Sequence, residues 1–178
     1  MKYAALLRGI NVGKSVQVPM AALKNLFEGL GLSFVATYLN SGNVIFESKR
    51  ESSYLRELIE GALEKAFGQR IPTLVKTSSE MISIADSIPA KWGNNAAEQT
   101  YVAYLFKEAA RPEIIDELPV KKEYMTIFYA HECVVWNIKR ENYNRSHITK
   151  IVGHPSYGLM TTRNVNTARK LADLVRAD

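Results

Sequence analysis

The apolar residues of this chain alternate between two periods, and each change of period marks an element. Residues 3–8 read as a strand, apolar from Tyr3 to Leu7 and ending on Arg8. Pro19 suits the first turn of a helix, with Met20, Leu23, Leu26, Phe27 and Leu30 as its apolar stripe and Gly31 as its stop. "FVATYL" and "NVIFES" read as two strands joined through "NSG", whose Asn and Gly favour the tight turn of a hairpin. A second helix is predicted over 52–67, with Leu55, Leu58, Ile59, Ala62, Leu63, Ala66 and Phe67 on one face and Gly68 after it. "IPTLVK" is a fourth strand. The order β-α-β-β-α-β is that of the ferredoxin-like split unit.

The order then recurs. "TSSEMISIADSIP" opens on a Thr77–Glu80 capping box and ends at Pro89, as a connecting helix. "AKWGNNAAEQ" reads as a loop. Next come a strand "TYVAYLF", a helix begun by Pro112, strands "YMTIFYA" and "CVVWNI", a short helix near 146–152, a strand "GLMTT" and a last helix from 165 to 176. The pattern repeats without visible identity between the halves. The expected fold is α+β, with two pseudo-duplicated ferredoxin-like subdomains and antiparallel sheets. These span 1–77 and 99–178, joined by a helix and loop over 78–98.

A sheet covered on one side alternates apolar with polar residues. The first strand does not: Tyr3, Ala5 and Leu7 face one way and Ala4 and Leu6 the other. "YVAYLF" is likewise apolar on both faces. Either both sheet faces are buried or one is a binding surface. An RNA-recognition face with Tyr3 and Phe46 as stacking aromatics is a further reading, but "NVIFES" lacks the basic-aromatic signature such a face needs.

Bulk properties narrow the class. No apolar run approaches the roughly 20 residues of a membrane helix, and the N-terminus has neither the core nor the cleavage site of a signal peptide. A cytosolic protein without membrane association is expected. The lone Cys133 excludes an internal disulfide and a Cys-based zinc cage, and it sits in an alternating strand as a buried thiol. The net charge is +5, and it is unevenly placed. Lys139 to Arg176 holds eight basic residues against Glu141 and Asp173, which makes that segment +6 and the rest −1. Such a segment suits nucleic acid or another polyanion, and equally a solvated surface.

"RGINVGKS", residues 8–15, resembles a phosphate-binding P-loop but departs from it. Three residues separate Gly9 from Gly13, where the G-x-x-x-x-G-K pattern needs one more. The β-branched "VQV" intervenes before the helix, and no apolar strand ends in a magnesium-binding Asp. The three histidines, His131, His147 and His154, have neither metal-ligand spacing nor a nucleophile elbow nearby. Ser41 has no identifiable base, and no metal or cofactor is expected.

The chain does resemble a known family. "ALLRGINVG" (5–13), "TYLNSGNVIF" (37–46), "FG" (67–68) and "TTRNVNTARKL" (161–171) are similar to segments of the bacterial domain-of-unknown-function family 1697. Lys14, Asn40 and Val165 stand where that family usually has Gly, Gln and Trp. The resemblance implies a duplicated ferredoxin-like fold. The family has no established activity, so it supplies positions and no reaction.

Strand order brings some of these positions together. In a ferredoxin-like sheet the end of the first strand and the turn between the second and third lie at one end. Arg8 and Asn11 are therefore expected near Asn40, Ser41 and Asn43, beside Gly9, Gly13 and Gly42, which let a ligand approach backbone N–H groups. Arg8 offers a bidentate fork to phosphate or carboxylate. Arg163, Asn164, Asn166 and Thr167 sit at a strand-to-helix junction and are expected to complete the site. The other reading is structural: Asn and Ser bond their own turns, Asn164 caps a helix and Arg8 bridges loops. Three functions stay open. They are non-catalytic binding of a phosphate-bearing or anionic ligand (a nucleotide or nucleic acid), an enzyme acting on such a ligand, and a structural or interaction module.

Overall fold

A computed structural model describes residues 1–176. The chain divides into two compact units, Met1–Ile82 with the segment from Leu171, and Ser83–Lys170. The first unit runs β1 (Lys2–Leu7), α1 (Met20–Gly29), β2 (Ser33–Tyr38), β3 (Asn43–Glu47), α2 (Ser52–Phe67) and β4 (Thr73–Thr77). Its sheet has the order β2-β3-β1-β4 with every neighbour antiparallel.

One face of that sheet carries Tyr3, Ala5, Leu7, Val44, Phe46 and Val75, and α1 and α2 bury Leu23, Phe27, Leu55, Ile59 and Leu63 in the same core. Phe46 stacks on Tyr3 with centroids 5.6 Å apart and meets the edge of Phe27 at 5.5 Å. Phe46→Ala would cost about 3–5 kcal/mol through the cavity it leaves. These burials remove the RNA-stacking reading, because Tyr3 and Phe46 are 3% and 0% exposed. Ala4, Leu6, Ile45 and Leu74 on the opposite face are buried as well, so both faces of the sheet are shielded from water.

Local signals explain the boundaries. Pro19 stands just before α1 and Gly68 ends α2 in the left-handed conformation at φ 73. The β2–β3 connection is longer than a two-residue turn. It takes Leu39 through Gly42, with Leu39 at φ 55 and Gly42 at φ 78. The capping box opens α3 (Ser78–Asp86): Thr77 Oγ1 accepts from the Glu80 N–H at 3.2 Å, and Glu80 Oε2 accepts from the Thr77 N–H at 2.8 Å.

The second unit contains β5 (Glu98–Leu105), α4 (Ile114–Glu117), β6 (Thr126–Ala130), β7 (Cys133–Lys139) and β8 (Met160–Asn164), with sheet order β6-β7-β5-β8. It repeats the strand order of the first. Cys133 is buried, as its strand pattern implies. The crossovers are reduced. The helix begun by Pro112 is the four-residue α4, because Pro119 forces Leu118 into an extended conformation. The helix expected near 146–152 is a 3-10 segment, Ile148–Gly153, followed by another over Pro155–Leu159. Gly153 and Pro155 interrupt any longer helix there. The last helix, α5, covers Val165–Arg176. Arg169 fastens its start to the connector, donating to Trp92 O at 2.9 Å and Pro89 O at 3.0 Å.

Candidate functional site

β1 and β3 are antiparallel neighbours, so the end of β1 arrives beside the β2–β3 turn. The Leu7 N–H donates to Gly42 O at 2.8 Å, and the Arg8 N–H donates to Pro72 O at 2.9 Å. The chain then makes a loop over 8–18 with Gly9, Asn11 and Gly13 at positive φ. Asn11 holds that loop in shape. Its Oδ1 accepts from the Val18 N–H at 2.7 Å, and its Nδ2 donates to Val18 O at 2.9 Å and Asn40 O at 2.8 Å. The expected meeting of Asn11 with the 40–43 turn therefore occurs, through a side chain that is fully engaged in holding the backbone.

Asn43 is similarly engaged. It is wholly buried, and its Nδ2 donates to Tyr38 O at 2.8 Å and Ser41 Oγ at 3.0 Å. Arg8 is half-buried at the head of the loop, while Asn40, Lys14, Gly9 and Gly13 are exposed. Among the described residues, no chain acceptor takes the N–H of Gly13 or Lys14. Segments 8–27 and 33–46 contain no Asp or Glu. The surroundings of the loop are therefore cationic in sequence and rich in donors. Lys14 was not an expected site residue, although its side chain adds a second charge to this loop.

Arg163, Asn164 and Asn166 lie in the other unit. Arg163 is 7% exposed, and its Nη1 donates to Thr161 Oγ1 and Thr162 O, each at 2.9 Å. Burial pulls its pKa down to about 10, with Tyr104 opposing, which leaves it charged at neutral pH. The Tyr104 hydroxyl is buried without a hydrogen-bond partner among the described residues, and burial raises its pKa. Asn164 Oδ1 accepts from the Thr167 N–H at 2.9 Å, which caps α5. Asn166 is exposed in the first turn of that helix.

A family model described as protein of unknown function (DUF1697) matches residues 1–136. The chain belongs to this family. The match contains Arg8, Asn11, Asn40, Ser41 and Asn43, and ends before Arg163. A solved structure, that of the conserved bacterial protein SP0830 from Streptococcus pneumoniae, is 25% identical with a TM-score of 0.82 and covers 98% of each chain. No curated protein matches the chain.

In this DUF1697 member the β1 loop and the β2–β3 turn are rich in hydrogen-bond donors. Segments 8–18 and 39–43 supply guanidinium, ammonium, amide, hydroxyl and N–H groups, and neither contains a carboxylate or an imidazole to move a proton. Ser41 Oγ accepts from Asn43 and has no neighbouring base within its own segment. The histidines serve locally. His131 occupies a turn at φ 48, and His154 Nδ1 accepts from the Ser156 N–H at 3.2 Å. His147, half-buried in a turn, has a lowered pKa from desolvation and from Lys150 and Lys121. Among the described residues no group of His, Cys, Asp and Glu is placed to hold a metal, and no helix is long and apolar enough to cross a membrane.

Proposed function

We propose that the protein is a non-catalytic binder of a phosphate-bearing or other anionic ligand, a nucleotide or a nucleic acid, at the loop that follows β1. The carrying observation is the clamp of Asn11 on Val18 and Asn40, which fixes a glycine-containing loop headed by Arg8. Arg8 supplies a fork for an anionic oxygen pair, Lys14 a second charge, and Asn40 an exposed amide. The N–H groups of Gly13 and Lys14 add donors of the kind that line anion sites. Asn11, Ser41 and Asn43 position these groups rather than touch the ligand. In this reading Arg163 and Asn164 order the β8–α5 junction of the other unit and take no part in the loop site.

The test is a titration of the full chain with inorganic pyrophosphate and with a short single-stranded RNA at several salt concentrations. Affinity that falls steeply with salt supports the reading. Arg8→Ala is expected to weaken binding about tenfold or more, and Arg8→Lys to restore part of it. Salt-independent or absent binding contradicts it. A structural role for the loop is favoured by the same Asn11 and Asn43 bonds, and an Arg8→Ala chain that loses its circular dichroism would decide for that role.

A further inference from the structure

One face of the second sheet carries a feature unrelated to the Arg8 loop. Gln99 and Tyr101 of β5, Trp136 of β7 and Thr162 of β8 share that face, with Tyr101 opposite Trp136 in register. They floor a cleft of about 280 Å3. The 3-10 segments Ile148–Gly153 and Pro155–Leu159 form its wall, with Tyr143 and Tyr157 contributing two more aromatic rings. Tyr101 and Trp136 are stacked, with centroids 6.0 Å apart and planes 26° from parallel. No lining residue carries a charge.

Gln99 is the group that distinguishes this cleft from a loosely packed corner of the core. It is only 7% exposed and lines the cleft, yet its side-chain amide has no hydrogen bond among the described residues. Its neighbours are satisfied: Asn137 Nδ2 donates to Thr100 Oγ1 at 2.8 Å and to Glu98 Oε2 at 2.9 Å. With no chain partner among the described residues, the amide meets the cleft itself, and a ligand that matched both its donor and its acceptor would take the place of water there. The amide presents one donor and one acceptor side by side, the pattern that pairs with adjacent acceptor and donor atoms on a heteroaromatic edge. Flat aromatic walls favour a flat guest. The volume lies just below the range of ligand pockets, about 300–1,000 Å3, and so limits the guest to one ring system. The uncharged lining excludes a phosphate from the cleft itself.

We infer that this cleft binds one planar, uncharged heteroaromatic ring of the nucleobase kind, stacked against Tyr101 and Trp136 and read at its edge by the Gln99 amide. Substituents such as a sugar stay at the mouth, beside the exposed Val152. The inference stands whether or not the Arg8 loop binds anions.

The experiment follows the two indole N–H signals of the full-length, isotopically labelled chain during titration with adenosine, guanosine, cytidine and uridine. At least one nucleoside is expected to shift the Trp136 signal saturably and leave that of Trp92 in place. Gln99→Leu should weaken that binding at least about tenfold, and Val152→Trp, a change at an exposed rim position, should block it. Val152→Trp decides the matter if Gln99→Leu does not fold. A single-stranded RNA hexamer that binds more tightly than its nucleoside points to nucleic acid as the source of the ring, and equal affinities point to a free nucleoside. Both sustain the assignment. No saturable shift with any nucleoside, full affinity in Gln99→Leu, or equal binding of toluene overturns it.

Discussion

The side-chain amide of Asn11 donates to the backbone carbonyl of Asn40 at 2.8 Å, across 29 residues of sequence. With its two bonds to Val18, this makes Asn11 the tie between the β1 loop and the β2–β3 turn. Asn11 also sits at φ 54, where Asn is tolerated better than most residues. Asn11→Ala removes three bonds at about 1 kcal/mol each net and adds backbone strain. The expected loss is about 3 kcal/mol. Asn11→Gly, which relieves the strain, should lose less. Urea unfolding of the two variants checks the order.

Gly42 and Gly13 both have positive φ and should respond differently to alanine. A Cβ on Gly42 would stand 2.7 Å from Leu7 Cβ and 2.8 Å from Ile10 Cδ1, inside the core. A Cβ on Gly13 meets nothing within 4 Å. Gly13→Ala should cost about 1 kcal/mol from backbone strain, and Gly42→Ala about 3 kcal/mol or more from strain and overpacking together. Thermal unfolding of both separates the contributions.

The β6–β7 hairpin turns on His131 and Glu132, at φ 48 and 59. Two positive-φ positions between paired strands favour an Asn-Gly pair. The double variant that combines His131→Asn with Glu132→Gly should therefore be more stable by about 1 kcal/mol. A raised urea midpoint with an unchanged slope is the expected readout.

Glu80 links the start of α3 to a buried amine. Its Oε1 lies 3.1 Å from Lys76 Nζ, and Lys76 is 5% exposed. Burial alone would raise the carboxyl pKa, but hydrogen bonds from Thr77 and the charge and hydrogen bond of Lys76 hold it below its ordinary 4.5. A group with a lowered folded pKa contributes stability above its unfolded value and loses it as pH falls through the folded one. Stability attributable to Glu80 should therefore be complete above about pH 5 and decline below about pH 4. Glu80→Ala, which also removes the cap and leaves Lys76 without this partner, should cost about 2 kcal/mol at neutral pH. The variant's loss of stability on acidification should be correspondingly smaller.

Much of the first unit was legible because its signals are local. The stripe of α2 is regular at helical spacing, and Gly68 supplies the left-handed stop. Strand order alone placed Asn11 beside Asn40. The second unit was less legible, since Pro119, Gly153 and Pro155 shorten crossovers whose flanking residues otherwise read as helical. The role of an amide is harder still. Asn11 and Asn43 have the composition of ligand-binding groups, and only their distances identify them as clamps. Arg163 read as an accessible cation because arginine is seldom buried, and the alternating burial of β8 is what encloses it. The cleft around Gln99 had only an indirect signal, a strand apolar on both faces, because Tyr101 and Trp136 meet through register across a hairpin-linked sheet.

The most direct measurement of the anion-binding account is an amide chemical-shift titration of the full-length, labelled chain with inorganic pyrophosphate. The account predicts saturable shifts confined to Gly9, Gly13, Lys14 and Asn40, weakened by Arg8→Ala in a chain that keeps its fold. Shifts that avoid this loop, or that persist undiminished without the Arg8 guanidinium, would contradict it.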